Sequence, residues 1–310
     1  MKKILFICMT AILLLTACDT EDAFTFIDYL IDELSQSEVT QKELDATNMY
    51  QDIDLHEMQV HYMDVGQADA SLIRFYDDDA EVNILYDTGD WRGDEVVPYL
   101  QALQIDTVDL VIISHPHADH MGQLKEVIDA FTVEEIWMTA NEANTDLFAT
   151  TMKKIVDQDI HYLEPTAGDL VTIGPLTIEI LHPGETLTGD FNRDSLSARF
   201  TYGEQAFLFT GDAIRQSEDD MMDAFKDLQA DFLHLGHHGS RTSSSKAFVR
   251  AVDPSYAIYS AGLHNKYDHP HEETIVLFNK LQIPIYGTDQ DGHIIVTTDG
   301  TNIEIDTYSN

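Results

Sequence analysis

Four side chains that bind divalent cations fall within six positions of this chain: His115, His117, Asp119 and His120, in the run Ser114-His-Pro-His-Ala-Asp-His-Met-Gly122. Imidazole nitrogens and a carboxylate oxygen suit Zn²⁺ or Mn²⁺. The spacing divides them. His115 and His117 can project the same way, while Asp119 and His120 open the next element and face a neighbouring point. That arrangement suits two adjacent cations rather than one. A solvated histidine-rich loop is the alternative. Against it stands the preceding run, Val108-Asp-Leu-Val-Ile-Ile-Ser114, which reads as a buried strand delivering the loop from its end.

More chemistry lies downstream. Asp212 ends the run Phe209-Thr-Gly-Asp212, where Gly211 lets the backbone turn sharply and aim a carboxylate inward. Alone, such a tripeptide is ordinary turn chemistry. His237 and His238 follow another strand-like run, Asp231-Phe-Leu-His-Leu235. Asp268-His-Pro-His271 sets two histidines just before an expected helix. His271, with His269 as its rival, has the chemistry of a general acid or a phosphate contact. Ser240, Arg241, Thr242 and Ser243 form a polar loop beside His237. Arg241 can grip a phosphate through two parallel hydrogen bonds, although a flexible loop with a helix cap explains the same residues.

These residues need a scaffold. Strands are expected at 59–63, 70–76, 82–86 and 108–114, the last carrying the histidine cluster. Helices are expected at 94–103, from Asp119 to about Phe131, and at 143–156, with a strand at 131–138 between them. The second half repeats the theme. It has a strand at 176–181 and a hairpin of 195–202 and 206–210 through Gly203-Glu-Gln. Helices follow at 217–225, 244–252 and 271–281, and strands at 256–259, 283–286 and 293–297. Strands with interspersed helices in two similar halves fit an α/β sandwich, two sheets with helices outside. The 310 residues allow one large domain or two ordinary ones, and the even spread of motifs favours one.

The first 56 residues read differently. Lys2 and Lys3 precede an apolar run from Ile4 to Leu15, too short to span a membrane and shaped like an export signal. Residues 19–56 hold many acidic residues and one basic residue, Lys42, and read as a tether with a short amphipathic helix near Phe24–Leu34 or as a disordered spacer. The expected division is a signal at 1–18, a tether at 19–56 and a catalytic domain at 57–310. With Cys8 inside the signal, Cys18 is the other of two cysteines, so histidine, aspartate and asparagine must build any metal site. The formal charge is −39, from 17 basic and 56 acidic residues. Such a surface repels phosphate backbones at long range and counts against tight binding of long nucleic acid.

His-x-His-x-Asp-His resembles the signature of the metallo-β-lactamase superfamily. Met63-Asp-Val-Gly-Gln-Ala-Asp-Ala-Ser-Leu-Ile73, Leu85-Tyr-Asp-Thr-Gly89, Phe209-Thr-Gly-Asp212 and Leu235-Gly-His-His-Gly-Ser-Arg-Thr-Ser-Ser-Ser245 follow in order. Together they resemble the extracytoplasmic hydrolase domain of ComEC-type competence proteins, over roughly residues 57 to 298. Leu15-Thr-Ala-Cys18 likewise resembles a bacterial lipobox. That implies a protein exported and anchored by a lipid on Cys18 to the outer face of a bacterial cell membrane.

The superfamily resemblance implies an αββα sandwich, two mixed sheets flanked by helices, holding two divalent metal ions, Zn²⁺ or Mn²⁺. It implies Asp212 as the bridging ligand. His237, rather than His238, aligns with the family's strand-end histidine and joins Asp119 and His120 at the second ion. His238 then supports the site or faces substrate. Asp87 holds the histidines by hydrogen bonding. The first ion's third ligand is open among Asn192, Asp194 and His182, with His182 as a plain strand end the alternative. Two ions about 3.5–4 Å apart can hold a bridging hydroxide, which Asp119 would orient. The expected activity is a phosphodiesterase or nuclease, acting on nucleic acid, a nucleotide or an envelope polymer, with no obligate protein partner. A carbonyl hydrolase of lactonase or β-lactamase type, or a binding lipoprotein without activity, are the alternatives.

Overall fold

The computed structural model describes Asp54 and residues 56–309. The expected signal, with Cys18, and nearly all of the tether lie outside the described residues. Two mixed sheets face one another. The first has the order β15-β14-β1-β2-β3-β4-β5-β6. Its strands are β1 (Met58–Tyr62), β2 (Ser71–Asp77), β3 (Ala80–Tyr86), β4 (Thr107–Ile112), β5 (Thr132–Trp137), β6 (His161–Leu163), β14 (His293–Thr298) and β15 (Ile303–Tyr308). The second has the order β13-β12-β11-β10-β9-β8-β7. It comprises β7 (Leu170–Ile173), β8 (Leu176–His182), β9 (Ser197–Tyr202), β10 (Gln205–Phe209), β11 (Phe232–His234), β12 (Tyr256–Tyr259) and β13 (Ile285–Gly287).

The sheets share a plan. β1, β2 and β3 pair antiparallel, then β3 to β6 run parallel. β7 to β10 pair antiparallel, then β10 to β13 run parallel. Parallel neighbours need crossovers. Helices α1 (Val96–Ala102), α2 (Leu124–Ala130) and α3 (Asp146–Asp157) serve the first sheet, and α4 (Arg215–Ala224), α5 (Lys246–Val252) and α6 (Glu272–Leu281) the second. A short α7 (Thr288–Asp291) leads into β14.

Alternation explains the packing. In β8, Leu176, Ile178 and Ile180 point into the space between the sheets, where Tyr62, Phe75, Tyr86, Phe200 and Phe209 meet them. Phe207 and Phe232 stack there at 4.6 Å between centroids. The opposite face of the second sheet buries Leu208, Leu233, Phe248 and Phe278 among its helices. Both faces of the parallel strands are covered, so they read as near-continuous apolar runs.

The structure differs from the sequence expectation at two kinds of place. The helix expected from Asp119 begins at Leu124. Residues 119–123 are instead tied to the loops after β1 and β3, through Asp69 N to Asp119 O (3.1 Å) and Thr88 N to His120 O (2.6 Å). Strands β6, β7 and β15 were not expected. All three are edge strands with half-exposed faces, so they carry little apolar pattern.

Candidate metal centre

Open α/β sheets bind ligands beyond the carboxyl ends of their parallel strands. Here those ends converge. Asp87 follows β3, the histidine cluster follows β4, Asp212 follows β10, and His237 and His238 follow β11. Gly211 (φ +52°) makes the approach possible, since a Cβ there would lie 2.5 Å from the Ser114 Cβ.

Two donor groups form. Asp69, His120, Asp212 and His238 each offer an atom within 4.8 Å of the others, and His115, His117 and Asp212 make a second such group. Asp212 belongs to both, and its two oxygens divide the work. Oδ1 lies 3.3 Å from His120 Nε2. Oδ2 lies 3.6 Å from His115 Nε2 and 3.6 Å from His237 Nε2. His115 Nε2 and His117 Nδ1 are 2.8 Å apart. His238 Nε2 lies 3.5 Å from Asp119 Oδ2.

Buried polar atoms almost always find partners. Asp69 Oδ1, His120 Nε2, Asp212 Oδ1 and His238 Nε2 are buried without a hydrogen bond. All four belong to one donor group. Nitrogen and carboxylate donors left open towards a common point fit a divalent cation.

The supporting contacts fix which nitrogen is free. Asp87 accepts from Ser114 N (2.7 Å) and Ser114 Oγ (2.8 Å). It also takes the Nδ1 proton of His120 at 2.8 Å, which leaves His120 Nε2 for a metal. His238 Nδ1 donates to Ser260 O at 3.1 Å and faces Asp69 Oδ2 at 3.5 Å. In the metal-free chain burial opposes a proton on His238, but Asp69 and Asp119 outweigh it and raise its pKa to about 9. His120 is raised likewise, against burial, by Asp212 and Asp87. Burial, joined by the charge of His120, pushes His115 and His117 down.

The structure reorders the histidine pair. The sequence expectation put His237 at the second ion and His238 beside it. Instead His238 stands in the four-residue group, 2% exposed, and His237 lies outside both groups, near Asp212 Oδ2. Both residues adopt left-handed backbone, φ +54° and +56°. The chain curls there instead of leaving β11 as an extended strand end, so the second histidine turns inward. Strain of this kind costs about 1–3 kcal/mol per residue and gathers at functional sites.

The other expected residues are placed as follows. His182 Nδ1 donates to Ser195 O at 3.0 Å, outside both donor groups. Asp194 accepts from Thr188 N, Thr188 Oγ1, Gly189 N and Asn141 Nδ2, so its oxygens clamp a loop. Asn192 Oδ1 is buried without a hydrogen-bond partner, as the open donors of the four-residue group are. Of the three candidates, His182 Nδ1 and the Asp194 oxygens are spent on other partners, and Asn192 stays open as the third ligand of the first group. His269 packs 5.3 Å from His237 and 4.8 Å from His271, ring to ring. Burial, then the neighbouring His238 and His237, lowers His269 to about 4. His271 Nδ1 accepts from Arg241 N at 3.2 Å. The exposed Arg241 side chain reaches Glu273 at 3.7 Å.

Sequence reasoning missed Asp69. It sits between Ala68 and Ala70 just before β2, a carboxylate inside an apolar run, and that was the available signal. It also missed His234, whose Nε2 lies 3.1 Å from Ser260 Oγ and 3.4 Å from Asp69 Oδ1.

Known proteins share this plan. ComE operon protein 3 of Bacillus subtilis is 27% identical over 77% of this chain and 33% of its own length. Recombination protein 2 of Haemophilus influenzae is 29% identical over 80% and 30%, and competence protein ComA of Neisseria gonorrhoeae 30% identical over 70% and 29%. The chain thus spans about a third of the length of these relatives. Among solved structures, the metallo-beta-lactamase fold protein YhfI of B. subtilis superposes with a TM-score of 0.50 at 15% identity, covering 74% of this chain and 95% of that one. The model of the metallo-beta-lactamase superfamily matches residues 63–263. With that match, and with these competence-type relatives, the chain belongs to the metallo-beta-lactamase superfamily, on its ComEC-type branch.

Proposed function

We propose that the protein is an exported phosphodiesterase that uses two divalent ions, Zn²⁺ or Mn²⁺. The observation that carries this reading is the shared carboxylate, with Asp212 Oδ1 turned to one donor group and Oδ2 to the other. His115, His117 and Asp212 would hold the first ion. His120, His238, Asp212 and either Asp69 or Asp119 would hold the second. Bound ions of this kind supply Lewis acidity and lower the pKa of a water nucleophile. Asp119 is part-exposed at the rim, where its carboxylate can orient that water. His271 accepts a backbone hydrogen bond at Nδ1, so its Nε2 carries a hydrogen that can be donated as a hydrogen bond to a phosphate or leaving oxygen. His269, held near 4, arrives unprotonated at neutral pH and suits a contact better than an acid. Arg241 is free enough to close on a phosphate.

The relatives named for competence and recombination favour a nucleic-acid phosphodiester over an envelope polymer. The lipobox-like Leu15–Cys18 run supports a lipid anchor on Cys18 at the outer face of the membrane. Among the described residues no helix is long and apolar enough to cross a membrane.

The test is a hydrolysis screen with Mn²⁺ or Zn²⁺. It pairs bis-p-nitrophenyl phosphate and single-stranded DNA with a β-lactam and a lactone, and uses Asp119→Ala/His120→Ala as control. Phosphodiester turnover lost in the control is the expected result. Turnover of only the β-lactam or lactone would move the protein to carbonyl hydrolysis. Silence on all four with metal bound would leave a binding protein.

A further inference from the structure

We propose that Trp91 and Tyr267 form a subsite that stacks an unpaired nucleobase of the substrate beside the metal centre. The inference rests on the phosphodiesterase reading and adds a specificity device to it.

A groove of about 570 Å³ opens next to Asp119, lined by Trp91, Arg92, Asn265, Lys266 and Tyr267 among others. Large rings are normally buried. Trp91 is 56% exposed and Tyr267 49% exposed. Each ring carries a cation over its face. The Arg92 guanidinium lies 5.2 Å from the Trp91 centroid, and Lys266 Nζ lies 4.7 Å from that of Tyr267. The groove also carries Asp90, Glu95 and Asp119, and Arg92 Nε lies 4.0 Å from Asp90 Oδ1, so its charge is mixed and the two exposed rings are what set it apart.

Both rings stand on fixed backbone. Trp91 N donates to Ala118 O at 3.0 Å, inside the histidine cluster. A Cβ on Gly122 would lie 2.2 Å from Trp91 N, so glycine is what lets the two loops touch. On the other side, Asn265 Oδ1 accepts from Tyr267 N (3.0 Å) and His269 N (3.1 Å). Gln67 Oε1 accepts from Gly262 N at 3.1 Å and ties that loop to the one after β1. The Tyr267 ring stacks on His269, 5.7 Å between centroids and 26° between planes, and His269 contacts His237 beside Asp212. A continuous row of rings therefore leads from the groove to the shared carboxylate.

This chemistry selects its ligand. Aromatic platforms with nearby cations bind single strands through base stacking and phosphate attraction together. A paired base has its faces already occupied within the duplex.

The test uses the chain's own fluorescence. Its two tryptophans are Trp91 and Trp137, and Trp137 is buried. The zinc-loaded full chain is titrated with a methylphosphonate-linked thymidine pentamer, which resists hydrolysis and carries no charge, and with its abasic counterpart. Quenching is expected, with the thymidine pentamer bound roughly tenfold tighter. Trp91→Ala and Tyr267→Ala are expected to erase that difference, and Trp91→Phe and Tyr267→Phe to keep most of it, with both Trp91 variants read by calorimetry. Equal affinity for both pentamers, or a difference that survives both alanine variants, would overturn the subsite. Phosphodiester turnover without base preference would leave the activity standing and remove the subsite. Base preference without turnover of any phosphodiester would do the reverse.

Discussion

His115 and His117 meet ring to ring, whereas His120 and His238 each lean on a carboxylate. In the first group the nearest polar partner of His115 Nε2 is His117 Nδ1, at 2.8 Å. In the second, Asp87 holds His120 at 2.8 Å, and Asp69 lies 3.5 Å from His238. The second group is wholly buried, while His117 is half-buried beside Phe191. Carboxylates behind ligating histidines raise their basicity and fix their orientation. On the two-ion reading, this difference would make the second ion tightly held and the first open to exchange and to substrate. Asp212, serving both, is where the comparison can be broken most severely.

Asp212→Ala should abolish both sites at once. Bound metal, measured by elemental analysis after dialysis, is expected to fall from two ions per chain to fewer than one. Losing the Lewis acidity of both, several kcal/mol of transition-state stabilisation, should lower kcat by more than about a thousandfold. Retention of two ions would show that the groups do not share this carboxylate.

Much of this centre is legible in the amino-acid sequence. His115, His117 and His120 are readable because type and spacing sit at the end of a strand with strong apolar periodicity, whereas Asp212 becomes readable only through the family resemblance. Most strands and the two similar halves are readable for the same reason, while the αββα topology rests on the family resemblance. The choice between His237 and His238 is not readable. It depends on two consecutive left-handed residues, and histidine does not announce that conformation as glycine does. Asp69 is hidden because a lone carboxylate in a β-rich run has no periodic signature, and its partners His120, His234 and His238 are distant in sequence. His182 is legible in the other sense. At a strand end before Pro-Gly it reads as ordinary strand-end chemistry rather than a ligand, and it spends its Nδ1 proton on Ser195 O.

The histidine pair offers the next largest effect. His238→Ala removes a buried donor from the second group and should leave one ion per chain, with kcat lower by roughly a hundredfold or more. His237 is 27% exposed on its side chain and touches only the Oδ2 side of Asp212. His237→Ala should keep both ions and cost about tenfold. Equal metal loss in the two variants would collapse the distinction between them.

Asp87→Asn weakens the support behind His120 without removing a donor. It should reduce affinity for the second ion by about 10–100-fold and leave the first ion's affinity nearly unchanged. Competition against a chelator series reads the two constants separately. A parallel loss at both ions would mean that Asp87 holds the whole loop rather than one group.

The subtlest distinction is in protons. Metal ligands must be deprotonated, so uptake at neutral pH expels whatever protons the histidines hold. In the metal-free chain His115 and His117 lie low, through burial and then the charge of His120, and have nothing to release. His238 lies at about 9 despite burial, because Asp69 and Asp119 favour its charged form. Calorimetry in buffers of different ionisation enthalpy should therefore find proton release on filling the second group and none on filling the first. The same shift sets the stability of the metal-free chain. An unfolded histidine titrates near 6.5, so a folded value raised above it adds stability that is complete below about pH 6.5 and lost as pH climbs towards 9. For His238 the change is on the order of 3 kcal/mol. The Tm of the metal-free chain is expected to fall across that window, and the Tm of the metal-loaded chain to stay level or rise, because the cation replaces the proton. A Tm without metal that is flat from pH 6.5 to 9 would mean that Asp69 and Asp119 do not hold a charged His238, and the two groups would then differ in geometry alone.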